Sequence, residues 1–268
     1  MRVIDSWVNV AMPSPPAPWQ RKVAQEVFKR APEDVFRKFS VAEMLAMMDA
    51  LGVEKAIITA QPGALDRDIA PFIEQQPERF ALSVLVDPRT GMKALRQLES
   101  MAKAHPVKLA RVVPSMIDLP PNDRAYYPLY AKCVELGLPI SINTGIPGPA
   151  LPGRCQDPML LDDVCLFFPE LVIVMANGAD PWWDVAIRLM VKYKNLYMQT
   201  SACAPKYLPP SLLHYMGTRG KDKVMFATDF PFLTMERCLD EAKALGLGDD
   251  ALDGYLYANA ARVLFGAS

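Results

Sequence analysis

Eight short β-rich runs alternate with amphipathic runs along the whole chain, and this alternation limits the fold more than any other feature. The runs are Arg2–Val10, Val53–Thr59, Phe80–Val86, Val107–Val113, Pro139–Thr144, Leu171–Ala176, Leu196–Thr200 and Val224–Thr228. Between them the pattern predicts helices over Val41–Leu51, Met92–Ala104, Tyr126–Leu136, Trp183–Tyr193 and Met235–Leu245, with a last one over Asp250–Phe265. Leu45, Met48 and Leu51 show the three-to-four spacing of a buried helix stripe. Leu51-Gly52, Leu136-Gly137 and Leu245-Gly246 read as helix stops, because glycine takes the left-handed backbone at a helix C-terminus without steric cost. Strand–helix repeats imply parallel strands joined by right-handed crossovers. Eight units in 268 residues predict an α/β fold, a (β/α)8 TIM barrel, as one domain over residues 1–268. The rival is an open doubly wound sheet. When such a sheet binds a dinucleotide it usually shows a Gly-rich first turn, and the chain has neither GxGxxG nor a P-loop.

Charge and cysteine usage narrow the function. Lys and Arg number 29 against 30 Asp and Glu, so no global basic footprint points to nucleic acid or an anionic membrane. The 5 cysteines are scattered without a CxxC pair, which argues against a disulfide framework or a Cys-based zinc site and for a reduced, cytoplasmic setting. The N-terminus does not read as a secretory signal, and no apolar run has the length of a membrane helix. Two stretches break the rhythm. Ala11–Phe39 is Pro-rich, carries Trp19 and a helical Arg21–Arg30 piece, and is long for a strand-to-helix loop; Asn143–Asp157 is similar. In a barrel both lie on the C-terminal face, where active sites sit.

Five motifs fall at predicted strand ends: IDSWVN (4–9), LPISINTG (138–145), LVIVMANGADPWW (171–183), KVMFATDFPF (223–232) and NAARVLFG (259–266). In this order, over nearly the whole chain, they resemble the amidohydrolase-related family, the branch called amidohydrolase 2. The resemblance implies a TIM-barrel hydrolase or decarboxylase acting on small carboxylate or aromatic compounds, ordinarily with a metal. The family's first strand reads Asp-x-His-x-His, and here Trp7 and Asn9 stand at the histidine positions. Asn143 replaces the fifth-strand histidine and Asn177 the sixth-strand one, while the eighth-strand aspartate is kept as Asp229. Zinc needs imidazole, thiolate or carboxylate donors, usually three or four from the protein. The sequence therefore predicts no transition metal and no other cofactor. An oxygen cage of Asn9, Asn143, Asn177 and Asp229 around Mg²⁺ or Ca²⁺ is the alternative that amide donors allow.

Strand alternation puts Asp5, Trp7 and Asn9 on one face, so that Asn9, Asn143, Asn177 and Asp229 converge in a polar ring at the barrel mouth. In such a ring Asp229 is the candidate general base and the asparagines are candidate donors to a developing oxyanion. Arg111, ending the fourth strand, is a candidate anchor for a substrate carboxylate through its two-pronged guanidinium; its structural alternative is an ion pair. Trp7 fills the space a metal would take, and Trp182 or Trp183 is a candidate pocket wall. Asp180 reads as a helix cap, and His105 and His214 read as structural. Cys203 and Ser201 lack a histidine partner, so a nucleophilic triad is not expected. Three functions stay open: a metal-independent hydrolase or carboxy-lyase for a small-molecule substrate, a catalytically silent paralogue supporting a metal-loaded relative, and a small-molecule binding protein. Self-association as a homodimer, or pairing with a related barrel chain, follows partly from the resemblance and partly from the apolar Ala11–Phe39 segment.

Overall fold

The computed structural model describes residues 1–266. Eight parallel strands follow one another around the barrel in chain order: β1 Val3–Val8, β2 Val53–Ala60, β3 Phe80–Leu85, β4 Val107–Val112, β5 Ile140–Asn143, β6 Ile173–Ala176, β7 Leu196–Gln199 and β8 Val224–Met225. All eight lie where the sequence pattern puts them. The seam between β8 and β1 is closed beyond the end of β8, where Asp229 N donates to Trp7 O at 3.0 Å and Asn9 N donates to Phe230 O at 2.8 Å. One main helix follows each strand: α1 Val41–Leu51, α2 Ala70–Gln75, α3 Met92–Ala104, α4 Tyr127–Leu136, α5 Leu160–Phe167, α6 Trp183–Lys192, α7 Pro210–Gly217 and α8 Met235–Lys243; α9 Asn259–Phe265 ends the described chain.

Local chemistry sets the helix ends. Ser40 Oγ accepts from Glu43 N while Glu43 Oε2 accepts from Ser40 N, a reciprocal cap that starts α1. Gly52 and Gly137 end α1 and α4 at φ of 71° and 61°, as their Leu-Gly stops predict. The third stop, Gly246, lies past α8, whose last helical residue is Lys243. The 11–39 segment turns helical earlier than expected, at Pro18, because proline is preorganised for the first helical position. The last helix is not continuous. A π-helical turn over Gly254–Ala258 interrupts it, where Gly254 passes so close to the Lys221 carbonyl that a Cβ would sit 2.6 Å from it.

The core has two parts. Most apolar side chains fill the layer between strands and helices. Inside the barrel, Ile4, Ile57, Leu109, Val174 and Met225 form a lower layer, plugged from below by Ala260, Ala261 and Leu264 of α9. Above it the interior turns polar. Ser141 Oγ donates to Gln199 Oε1 at 3.0 Å, Gln199 Nε2 reaches Ser6 Oγ at 3.3 Å, and Ser6 Oγ donates to Phe226 O at 2.7 Å, all buried.

Candidate active site

β1 carries an irregularity that rearranges the site. Asp5 pairs with Ala56 and Val8 with Ile58, so three steps along β1 match two along β2. Such a bulge resets the alternation of side chains. Ser6 and Trp7 both serve the interior, whereas Asp5 falls on the opposite side, contrary to the shared face that strict alternation predicts. Its carboxylate accepts from Thr228 Oγ1 at 2.6 Å, Thr228 N at 3.0 Å and Trp7 N at 3.2 Å. Asp5 thus ties β1 to the segment after β8 rather than joining the polar ring. Burial raises its pKa to about 6, against the pull of those hydrogen bonds.

Asp229 sits four residues past β8 in left-handed backbone, φ 61°. Its Oδ1 accepts from Asn9 Nδ2 at 2.8 Å, and the same amide group donates to Phe230 O at 3.0 Å. Removal from water pushes the Asp229 carboxyl up to about 7; Asn9 and Arg111 pull it down, and the charge of Asp5 pushes it further up. Asn177 also has positive φ, 65°, and its partner is Ser201: Asn177 N donates to Ser201 Oγ at 3.1 Å, and that hydroxyl donates to Asn177 Oδ1 at 2.7 Å. Asn143 is buried, with its Oδ1 unpartnered. The four residues share the C-terminal end of the barrel, but hydrogen bonds join only Asn9 with Asp229.

Arg111, on β4, is fully buried, and its Nε, Nη1 and Nη2 have no hydrogen-bond partner among the described residues. The ion pair weighed as its alternative is not formed. Its Cζ lies 3.2 Å from the centroid of the Trp7 ring, a face-on stack. Burial pushes the guanidinium down to about 9, while Asp229 and Asp5 hold it up.

The neighbouring tryptophans divide their work. Trp182 is half-buried at the start of α6. Trp183 is buried and donates Nε1 to Asp180 Oδ1 at 3.1 Å, so Asp180 anchors an indole instead of capping the helix. The Trp183 ring lies against Gly178, whose φ is +68°, and a Cβ there would sit 2.2 Å from the ring. Gly178→Ala is expected to lower the unfolding free energy by about 2–4 kcal/mol, from overpacking plus backbone strain; equilibrium urea unfolding checks it. Burial raises the Cys203 thiol to about 12, which fits its exclusion as a nucleophile. His105 ends α3, at the opposite end of the strands, and His214 is exposed on α7.

A family model described as amidohydrolase matches residues 4–266. The chain belongs to the amidohydrolase family. Among solved structures, an uncharacterized TIM-barrel protein from Bordetella bronchiseptica is similar at TM-score 0.81 and 21% identity, over 99% of each chain. The 5-carboxyvanillate decarboxylase of Sphingomonas paucimobilis is similar at TM-score 0.71 and 17% identity, over 98% of this chain and 99% of that one. A dihydroxybenzoic acid decarboxylase from Polaromonas, solved with bound manganese and the inhibitor 2-nitroresorcinol, follows at TM-score 0.70 and 17% identity, over 100% of this chain and 98% of that one. No curated protein matches.

The strand ends of this amidohydrolase-family chain do not fit a transition metal. They offer an indole, three amides and one carboxylate, and among the described residues no group of three His, Cys, Asp or Glu side chains is placed to hold an ion. The oxygen cage considered for a hard cation is not assembled either, because Asn9 turns its N–H toward Asp229 and Asn177 Oδ1 is taken by Ser201.

Sequence reading missed the polar interior of this barrel, namely Ser6, Ser83, Ser141 and Gln199, and the Ser201 support of Asn177. A signal existed for Ser83, the lone polar residue of the apolar run FALSVL; Ser6 and Ser141 share their strands with Asp5 and Asn143.

Two raised carboxyl groups give stability a definite pH dependence. Both Asp5 and Asp229 hold their protons in the folded chain above the pH at which the unfolded chain releases them. Their effect is absent below about pH 4, grows unfavourable as pH rises, and is complete above about 7. Asp229→Asn removes its share. The variant is expected to lose less stability than wild type between pH 5 and 8, by a difference on the order of a few kcal/mol. Parallel denaturation curves at the two pH values measure it, and identical losses would refute the raised carboxyl.

Proposed function

We propose that this chain is an enzyme, a hydrolase or lyase of a small carboxylate-bearing or aromatic compound, working without a transition metal and with Asp229 as its general base. One observation carries the proposal. A single carboxyl at the strand ends is held at one oxygen by Asn9 and titrates near neutral pH. A general base acts best when its pKa lies near the working pH. In hydrolysis, Asp229 takes a proton from water as the water oxygen bonds to the substrate carbonyl carbon, then returns it to the leaving group. In decarboxylation, the protonated carboxyl gives its proton to the carbon that loses carbon dioxide. Arg111 anchors the substrate carboxylate, Trp7 and Trp182 wall the pocket, and the amides of Asn143 and Asn177 supply donors for developing negative charge. Family membership and the two aromatic-acid decarboxylases of like fold support this substrate class.

The test is turnover of aromatic carboxylates, esters, amides and lactones by the purified chain before and after chelator treatment, with elemental analysis. Activity is expected to survive chelation at far less than one Zn, Mn or Fe per chain. One such ion per chain, retained against chelator, would overturn the metal-independent reading. The pH profile separates the two reactions. Through about pH 7, kcat/KM rises if Asp229 acts as base and falls if it acts as acid. No turnover of any of these compounds would favour the binding or supporting roles.

A further inference from the structure

Among the described residues, one charged group at the strand ends has no acceptor for any of its protons. Arg111 presents a rigid fork of five N–H donors, is 0% exposed, and makes no hydrogen bond. A cation removed from water in this way carries a large desolvation cost, offset here only by the Trp7 face and the charges of Asp229 and Asp5. The layer below shows that this barrel is able to fill its centre with Ile, Leu, Val and Met. The polar surroundings are unsatisfied as well. Thr59 Oγ1, Ser83 Oγ, Asn143 Oδ1 and Trp7 Nε1 are buried without partners. Register puts Thr59 opposite Ser83, and Ser83 opposite Leu109, two residues before Arg111 on the same face of β4. Arg111 is flanked in register by Leu85 and Ser141, and this fixed positive charge shares the barrel interior with idle neutral donors and acceptors, which is the chemistry of an anion site.

The cover is also visible. Arg111 has no exposed surface, whereas the indole stacked on it keeps 7%. We infer that Arg111 and Trp7 form a gated anion site, in which the Trp7 indole moves to admit a planar monocarboxylate to the Arg111 fork and closes again on its face. The carboxylate is planar and conjugated because a bidentate carboxylate lies in the guanidinium plane. The indole lies over the guanidinium, its ring centroid 3.2 Å from Cζ, so a conjugated substituent beside the fork has an aromatic face to meet. The ligand carries one charge because Asp229 and Asp5 supply negative charge around Arg111, the one cation that acts on Asp229 among the described residues. The inference rests on reading the strand ends as a carboxylate site and adds the ligand's shape, its charge and its route in.

Wild-type protein titrated with benzoate, the neutral isostere benzamide and the dianion phthalate tests this by calorimetry, with tryptophan emission followed in stopped flow. Benzoate is expected to bind at least about 30-fold more tightly than benzamide, and more tightly than phthalate. Its observed binding rate should level off with concentration, because opening limits access. Folded Arg111→Met should lose benzoate affinity by at least about 30-fold, and Trp7→Ala should abolish the plateau. Equal affinity for benzoate and benzamide, tighter phthalate, no benzoate binding at millimolar concentration, or unchanged affinity in folded Arg111→Met would overturn the anion site. A wild-type rate that stays linear would overturn the gate. Binding is read without turnover, so benzoate capture by an inactive wild type would sink the Asp229 chemistry alone. Turnover without preference for benzoate would sink this inference alone.

Discussion

Asp229→Asn is expected to turn over substrate at least about 10²-fold more slowly while keeping its fold and binding a carboxylate ligand at least as tightly. The size follows from what the change removes. Asn has the volume of Asp, and its side-chain carbonyl accepts the Asn9 hydrogen bond that Oδ1 now accepts at 2.8 Å. The backbone bond from residue 229 to Trp7 O is untouched, and asparagine tolerates the left-handed conformation at that position. Only proton transfer is lost, and general acid–base groups typically contribute about 10²–10⁴-fold. Steady-state assays on wild type and variant, with circular dichroism as a folding control, decide it. Undiminished kcat in the variant would dismiss Asp229 as the acid–base group.

The second large effect is on stability. Arg111→Met is expected to stabilise the fold by about 1–3 kcal/mol, because a side chain of similar reach replaces a buried charge that has no acceptor. The stack on Trp7 offsets part of this, since a desolvated cation–π contact contributes about 2 kcal/mol and would be lost. Denaturant unfolding near pH 6 is the right measurement, because Asp229 is then largely protonated and does not miss its counter-charge. A more stable variant that no longer holds a carboxylate would mark Arg111 as a residue kept for function against the interest of the fold. A variant several kcal/mol less stable would instead mark the guanidinium as structural.

The fold was legible because its signals are local. Each strand is a short β-rich run, and the Leu-Gly stops at 52 and 137 act through one residue's backbone. The membership of the strand ends was legible through the order of the motifs. Their geometry was not. The side on which Asp5 lies depends on a bulge that appears only when β1 is laid against β2. The isolation of Arg111 depends on which side chains four other strands bring to it, and the Asn9–Asp229 bond spans 220 positions of chain. Pairings of that kind are products of barrel closure, which no window of neighbouring residues encodes.

The plug beneath the barrel has a consequence for biosynthesis. Ala260, Ala261 and Leu264 complete the lower layer that Ile4 begins, and the free edge of β1 finds its partner only around Phe226–Phe230. A ribosome delivers these segments after the strands β1 to β7. Until they emerge, the nascent chain holds an open, curved sheet with one unpaired edge and an uncovered apolar floor, the two features by which incomplete folds aggregate. The segments Phe226–Phe230 and Ala260–Leu264 therefore act together as the latch of the barrel, and mutations there are expected to show first as poor yield in the cell rather than as altered chemistry at the opposite end.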